Sequence, residues 1–258
     1  MKNKNKHEKE NANSDIAVMI PCHRLIGPQL VHDATHKNAV LGGVKIHSIA
    51  SDQSRTIFDL GYNGSIEVCE YAEPMPKKYY AYIPASEKKK VQAFTRHAVI
   101  KGIPASKEST DHFNTCFAVM AFSILVANNH DLHVMGWLSS GSWESVRAWA
   151  GCLEETVIRR WPPYVLWVRM TESEENNGIL YKTKGLASLK GFEISHLASK
   201  KSDTNLWWLR RLVVEAVEGH KVLWEDGCVL PRMGRRERYR LAYDTSGSVP
   251  VFNVVKQT

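Results

Sequence analysis

The sequence predicts an α+β fold, with helices packed on mainly antiparallel sheet and room for two similar α/β sub-units in one compact domain. Two observations carry that expectation. Strand-helix-strand recurs three times, yet hairpins as well as crossovers follow each helix, unlike a doubly wound parallel fold. The stretch after Trp161-Pro162-Pro163 also reads as a closed set of short strands around one amphipathic helix.

In chain order, Met1 to Ser14 is rich in Lys, Asn and Glu and reads as a disordered leader. Ile16 to Ile20 is an apolar strand ending at Pro21, and Leu25 to Val40 has helical spacing through Leu30, Ala34 and Ala39, stopped by Gly42-Gly43. Val44–Ile49, Arg55–Leu60 and Ser65–Tyr71 read as strands, with Gly61-Tyr62-Asn63-Gly64 as a hairpin turn. These make an N-terminal α+β subdomain over residues 15–76. A Lys-rich linking segment runs to Lys90.

A second domain, 91–258, packs against the first. Ala93–Ile103 reads as a strand ending at Pro104, and Ser106 caps a helix running to Asn128. Phe113, Phe117, Met120, Ala121, Ile124 and Leu125 recur at three- and four-residue steps and mark that helix's buried face. Leu132–Leu138 is the next strand, and Ser142 is expected to cap a helix over Trp143–Leu153. Tyr164–Arg169, Gly178–Leu186 and Gly191–Ser195 follow as strands. A helix spans Asp203–Gly219, with Leu206, Leu209, Val213, Ala216 and Val217 buried, and Glu237–Tyr243 and Val249–Val255 close the set.

Composition narrows the class. No apolar run approaches the roughly 20 residues that span a bilayer; the longest, Cys116–Ala127, suits a buried core helix. The charged start leads into a strand instead of a signal-peptide apolar stretch, so a cytoplasmic protein is expected. Five scattered cysteines (22, 69, 116, 152, 228) without a CxxC pair fit free thiols better than a disulfide framework. The net charge of +7 is uneven. Lys77, Lys78, Lys88, Lys89, Lys90, Arg96, Lys101 and Lys107 oppose only Glu87, and Arg232, Arg235, Arg236, Arg238 and Arg240 form a second cluster. Such a balance favours an acidic partner, protein or nucleic acid.

Reactive patterns are sparse. His32 and His36 at i and i+4 face the same way on a helix, as two zinc ligands do, and Cys22, His23 and His47 are the residues that could join them. Metalloproteases carry Glu directly after the first histidine; here Asp33 is one methylene shorter. A pair of partly exposed helix histidines is the simpler account, so neither metal nor cofactor is expected. His112 and Cys116 share a helix face but lie among aromatics, where a cysteine is inert. His130 and His133 cross a loop-to-strand boundary and share no fixed face. Ser139-Ser140-Gly141-Ser142 lacks the glycines and lysine of a P-loop and reads as a turn that caps a helix. No catalytic constellation emerges, and an enzyme is not expected.

Trp207-Trp208 with Arg210-Arg211 is the surface candidate, because Trp and Arg dominate binding hot spots. The buried stripe of that helix pushes one tryptophan toward its edge. With Arg235 and Arg236, these residues are the expected partner-binding set. No helix-turn-helix, RNP or zinc-finger pattern supports nucleic acid over protein as the partner.

Several of these segments resemble the bacterial DUF4261 family. The matching pieces are Pro163–Arg169, Tyr181–Leu186, Gly191–Ile194, Glu218-Gly219-His220, Val222–Gly227 and Glu237–Leu241. Ala72–Pro76 resembles the family's Pro-x-Pro segment. Arg96–Ile100 resembles its His-Lys-Ala-His strand with the second histidine lost, and Gly136-Trp137 with Ser139–Ser142 resembles its Tyr-Trp plus glycine turn. The family brings no catalytic residues. Some relatives stand beside secreted toxins as immunity or accessory proteins. The resemblance therefore implies an immunity protein that neutralises a type VI secretion-type antibacterial toxin by steric occlusion, and the chain's basic charge points to an acidic toxin surface as target. The alternatives are a nucleic-acid-binding accessory protein and a metal-dependent hydrolase using His32 and His36.

Overall fold

The computed structural model describes residues 16–24, 46–52, 54–61, 64–106, 109–129, 132–159, 163–218, 222–231 and 238–257. The expected leader (1–14), the helix over 25–40 with its His32/His36 pair, and the Arg235/Arg236 pair lie outside the described residues. The chain is α+β, with two mostly antiparallel sheets and six helices among the described residues. It divides into two compact units, Asp15–Leu166 and Trp167–Thr258.

The first unit is built on a seven-stranded sheet. Its strands are β1 (Ile16–Cys22), β2 (Ser48–Ser51), β3 (Arg55–Asp59), β4 (Ser65–Tyr71), β5 (Arg96–Ile103), β6 (Val134–Trp137) and β7 (Ser142–Ser145). They lie in the order β2-β3-β4-β5-β1-β6-β7, each neighbouring pair antiparallel. The expected boundary at 76–91 is therefore displaced: β5 inserts between β4 and β1, joining strands from both sides of that boundary into one sheet. β1 runs through Pro21, which pairs opposite His97 of β5 but lies past Val18 and Met19, the two positions matched to β6. A residue without an N–H is tolerated where one flank makes no ladder bond.

Every residue of β1 is buried, because both faces of the sheet are covered. On one face lies α2 (Ser109–Asn129), so close that a Cβ at Gly102 would come within 2.5 Å of Thr115 and 2.8 Å of Val119. On the other face Ala17, Met19, Val99, Val134 and Trp143 form a cluster with Met75, Ile83 and Val91. The Lys-rich linker is thus structured. It holds a 3₁₀ turn at Lys77–Tyr79 and a helix, α1 (Ala85–Val91), made of good helix formers with Glu87 in its first turn and Lys88 to Lys90 in its last.

Two local expectations change. The segment expected as a helix from Trp143 begins instead as β7, and α3 covers Val146–Arg159. Trp143 is drawn into the sheet by the cluster on Ala17 and Met19, and the cap moves to Ser145, whose Oγ accepts from the Ala148 N–H at 3.2 Å. Tyr164–Trp167 is a short helix, α4, not a strand, and extended structure starts at Arg169. Pro163 presets its first turn and its carbonyl accepts from Leu166 N–H. Leu166, Trp167 and Val168 are then buried in succession.

The second unit is a five-stranded sheet in the order β11-β12-β10-β9-β8. These are β8 (Arg169–Glu175), β9 (Gly178–Lys184), β10 (Glu193–Ala198), β11 (Tyr239–Asp244) and β12 (Val251–Lys256). Only β10 and β12 run parallel. A short helix, α5 (Ala187–Lys190), links β9 to β10, and α6 (Asp203–Glu218) packs on β9 and β10.

Candidate functional site

The arrangement with most to offer a partner lies on α6. Its start is fixed by Ser202, whose Oγ accepts from the Thr204 N–H at 3.2 Å, with Asp203 in the first turn favoured by the helix dipole. Asn205, Trp208, Leu209, Leu212, Val213 and Ala216 recur at three- and four-residue steps and are buried. The opposite stripe, Thr204, Trp207, Arg210, Arg211 and Glu218, faces water.

The two tryptophans thus part company. Trp208 is 1% exposed, its ring 5.0 Å from that of His196 and 4.6 Å from that of Tyr239. The His196 ring stands 5.6 Å from Tyr239, and its Nδ1 lies 3.2 Å from the Val254 carbonyl, which can only accept, so the proton sits on Nδ1. Trp208 belongs to the core, which corrects its expected place at a partner surface. Trp207 is 51% exposed. Arg211, one turn on, lays its guanidinium 4.9 Å from the centre of the Trp207 ring. Arg210 is exposed beside it, so a flat aromatic face and two cations share one stripe on a helix pinned from beneath.

A buried polar clasp in the same unit went unforeseen. Glu193 is 7% exposed. One carboxylate oxygen accepts from the Gly185 N–H at 2.8 Å and the Ala187 N–H at 3.2 Å, the other from the Thr183 hydroxyl at 2.5 Å. Thr183 Oγ1 in turn accepts from the Ile194 N–H at 2.8 Å. The carboxylate satisfies the corner that leads into α5 and has no reactive neighbour in this set. Its partners lie six to ten residues away, a spacing no sequence motif marks.

The other sequence candidates disperse. Cys22 is buried in β1, while His23 is exposed and stacks on Phe94 at 4.3 Å, and His47 is exposed. Among the described residues, no three His, Cys, Asp or Glu side chains are grouped to hold a metal ion. Cys116 is fully buried and burial pushes its thiol up, so the thiolate that a couple with His112 needs does not form near neutral pH. His133 is exposed, and His130 lies outside the described residues. Ser139–Ser142 turns β6 into β7, and the buried Ser140 hydroxyl donates to the Leu166 carbonyl at 2.7 Å, so the turn is braced within its own unit.

Burial also pushes the thiols of Cys22 and Cys69 up to about 11. Glu70 adds to the effect at Cys22 and Glu67 at Cys69, against Arg96 at the first and Lys101 and Arg55 at the second. These thiols remain protonated and unreactive at neutral pH.

No family model, curated protein or solved structure matches this chain. No helix among the described residues is long and apolar enough to cross a membrane.

Proposed function

We propose that the chain is a protein-binding module and that its concrete role is immunity, neutralising a secreted antibacterial toxin of the type VI secretion kind by covering its working surface. The observation that carries the binding reading is Trp207, half in water beneath the Arg211 guanidinium on a helix locked by Trp208. Burying the exposed half of a tryptophan, about 120 Å², contributes roughly 3 kcal/mol before the cost of association. Ring and guanidinium are already stacked on each other, so less ordering entropy is lost when a partner arrives.

Arg210, Arg211 and the net charge of +7 favour an acidic partner surface, by faster encounter and by repelling basic competitors. The immunity role adds the short-motif resemblance to the DUF4261 family, some members of which look like immunity or accessory proteins beside secreted toxins. Steric occlusion requires no catalytic residue in this chain.

The test is co-expression. The tagged chain is purified from its native cells, and any stoichiometric protein partner is then expressed alone and with this chain. The proposal expects a toxic partner whose toxicity the chain suppresses and Trp207→Ala does not. A non-toxic partner removes the immunity role and leaves the binding module; the absence of any protein partner removes both.

A further inference from the structure

We infer that the 77–90 segment of the first unit is a docking surface for the phosphate backbone of a nucleic acid, a site separate from the α6 stripe and independent of the protein-binding reading. Five lysines stand in this segment against one acid, Glu87. Lys77, Lys78, Lys89 and Lys90 are exposed and Lys88 is half-buried.

These cations are held on a platform. Met75, Ile83 and Val91 are buried in the cluster on Ala17, Met19 and Val99, and Tyr79 and Tyr80 pack against it. Backbone bonds tie the turns between these anchors: Tyr80 N–H to Lys77 O at 3.0 Å, Tyr82 N–H to Tyr79 O at 3.0 Å and Lys88 N–H to Pro84 O at 3.1 Å. All the anchors lie on one side of the seven-stranded sheet, so both lysine groups are carried by the layer on that side.

The charges are mostly uncompensated. Lys90 pairs with Glu87 at 3.3 Å, and the Lys78 ammonium lies 5.1 Å from the centre of the Tyr79 ring. Among the described residues, Lys77, Lys88 and Lys89 have no carboxylate partner. Fixing several like charges close together repels, and that repulsion is relieved when a polyanion arrives.

Composition decides between the two kinds of acidic macromolecule. Protein interfaces are depleted in lysine and need an apolar centre. Here the one large apolar side chain facing water within the segment is Tyr82, at 40% exposure. Phosphate contacts, by contrast, are made by lysine ammoniums as point charges, and releasing condensed counterions drives them. The chain carries no base-reading motif, so the contacts are to backbone and independent of sequence.

Fluorescence anisotropy with a short labelled DNA duplex tests this on the full chain. About four phosphates engaged give a slope near −3.6 in log affinity against log salt, a loss of about a hundredfold between about 50 and 200 mM. The combined Lys77→Gln, Lys78→Gln, Lys88→Gln and Lys89→Gln variant is expected to lose at least about tenfold in affinity at the lower salt and most of that slope, with an unchanged circular-dichroism spectrum and melting temperature. No binding at low salt, or a slope that the variant leaves intact, overturns the assignment. Displacement of the duplex by polyglutamate at equal charge concentration also overturns it, in favour of an acidic protein.

Discussion

Arg211 lies one turn beyond Trp207 on the same face of α6, its guanidinium 4.9 Å from the ring centre. Residues four apart on a helix are surface neighbours, and an exposed cation over an aromatic face contributes about 0.5–1 kcal/mol. That is small beside the burial of Trp208 directly next to it in sequence. Trp207→Ala is therefore expected to change unfolding stability by about 1 kcal/mol or less, and Trp208→Ala to cost about 3–5 kcal/mol. Urea titrations followed by far-UV circular dichroism separate the two; similar losses would mean that Trp207 is a structural residue.

The Glu193 clasp makes a graded prediction. Glu193→Ala strands the Gly185 and Ala187 amides and the Thr183 hydroxyl in a buried corner, at an expected cost of about 3 kcal/mol or more. Glu193→Gln keeps an acceptor for the amides but turns an NH₂ toward Thr183, and about 1–2 kcal/mol is expected. Equal losses for both variants in chemical denaturation would mean that packing, not hydrogen bonding, holds this corner.

Helix α3 offers a local test of where it begins. Ser145 accepts from the Ala148 N–H, so Ser145→Ala should cost about 0.5–2 kcal/mol. Ser142→Ala lies within β7 and is expected to cost less than about 0.5 kcal/mol. Thermal melts of the two variants suffice, and the reverse order would place the cap at Ser142.

The buried thiols set the alkaline limit. Cys22 and Cys69 are raised from 9.0 to about 11, and Cys116 is raised as well. A group whose folded pKa is raised contributes stability that is fully present below its unfolded value, here near 9.0, and is lost as pH climbs through the folded value. Between those limits the unfolded chain has released protons that the native state still holds, so stability falls with rising pH. The melting temperature is expected to drop from about pH 9 to 11, with a shallower drop in Cys22→Ala and Cys116→Ala. A flat wild-type profile over that range contradicts the assignment.

Legibility in the sequence followed the range of the interactions. Period-3.6 stripes identified the helices over Ser109–Asn129 and Asp203–Glu218, and alternating or apolar runs identified β1, β3, β4, β9 and β12, because those signals are local. Trp143 misled: it has helical neighbours, but its ring covers Gly136 across the hairpin, where a Cβ would come within 2.3 Å of it. The lysine-rich 77–90 segment looked like a linker because its anchors, Met75, Ile83 and Val91, are eight residues apart and gain meaning only against Ala17 and Met19. At the candidate site, the helical stripe pushes one tryptophan toward the edge without saying which, and Trp208, expected at the partner surface with Trp207, is in the core. The stack of Trp208 on His196 and Tyr239 was not readable, since those rings come from strands on either side of the helix in sequence.

The most direct measurement of the central claim is quantitative retention of bound protein from native-cell extract by the tagged wild-type chain and by Trp207→Ala side by side. A hot-spot residue contributes at least about 2 kcal/mol, so one stoichiometric, acidic partner is expected on the wild type and should bind the variant about thirtyfold more weakly. Retention of the same partner at equal affinity by Trp207→Ala would contradict the account, because the exposed face of α6 would then not be where this chain meets its partner.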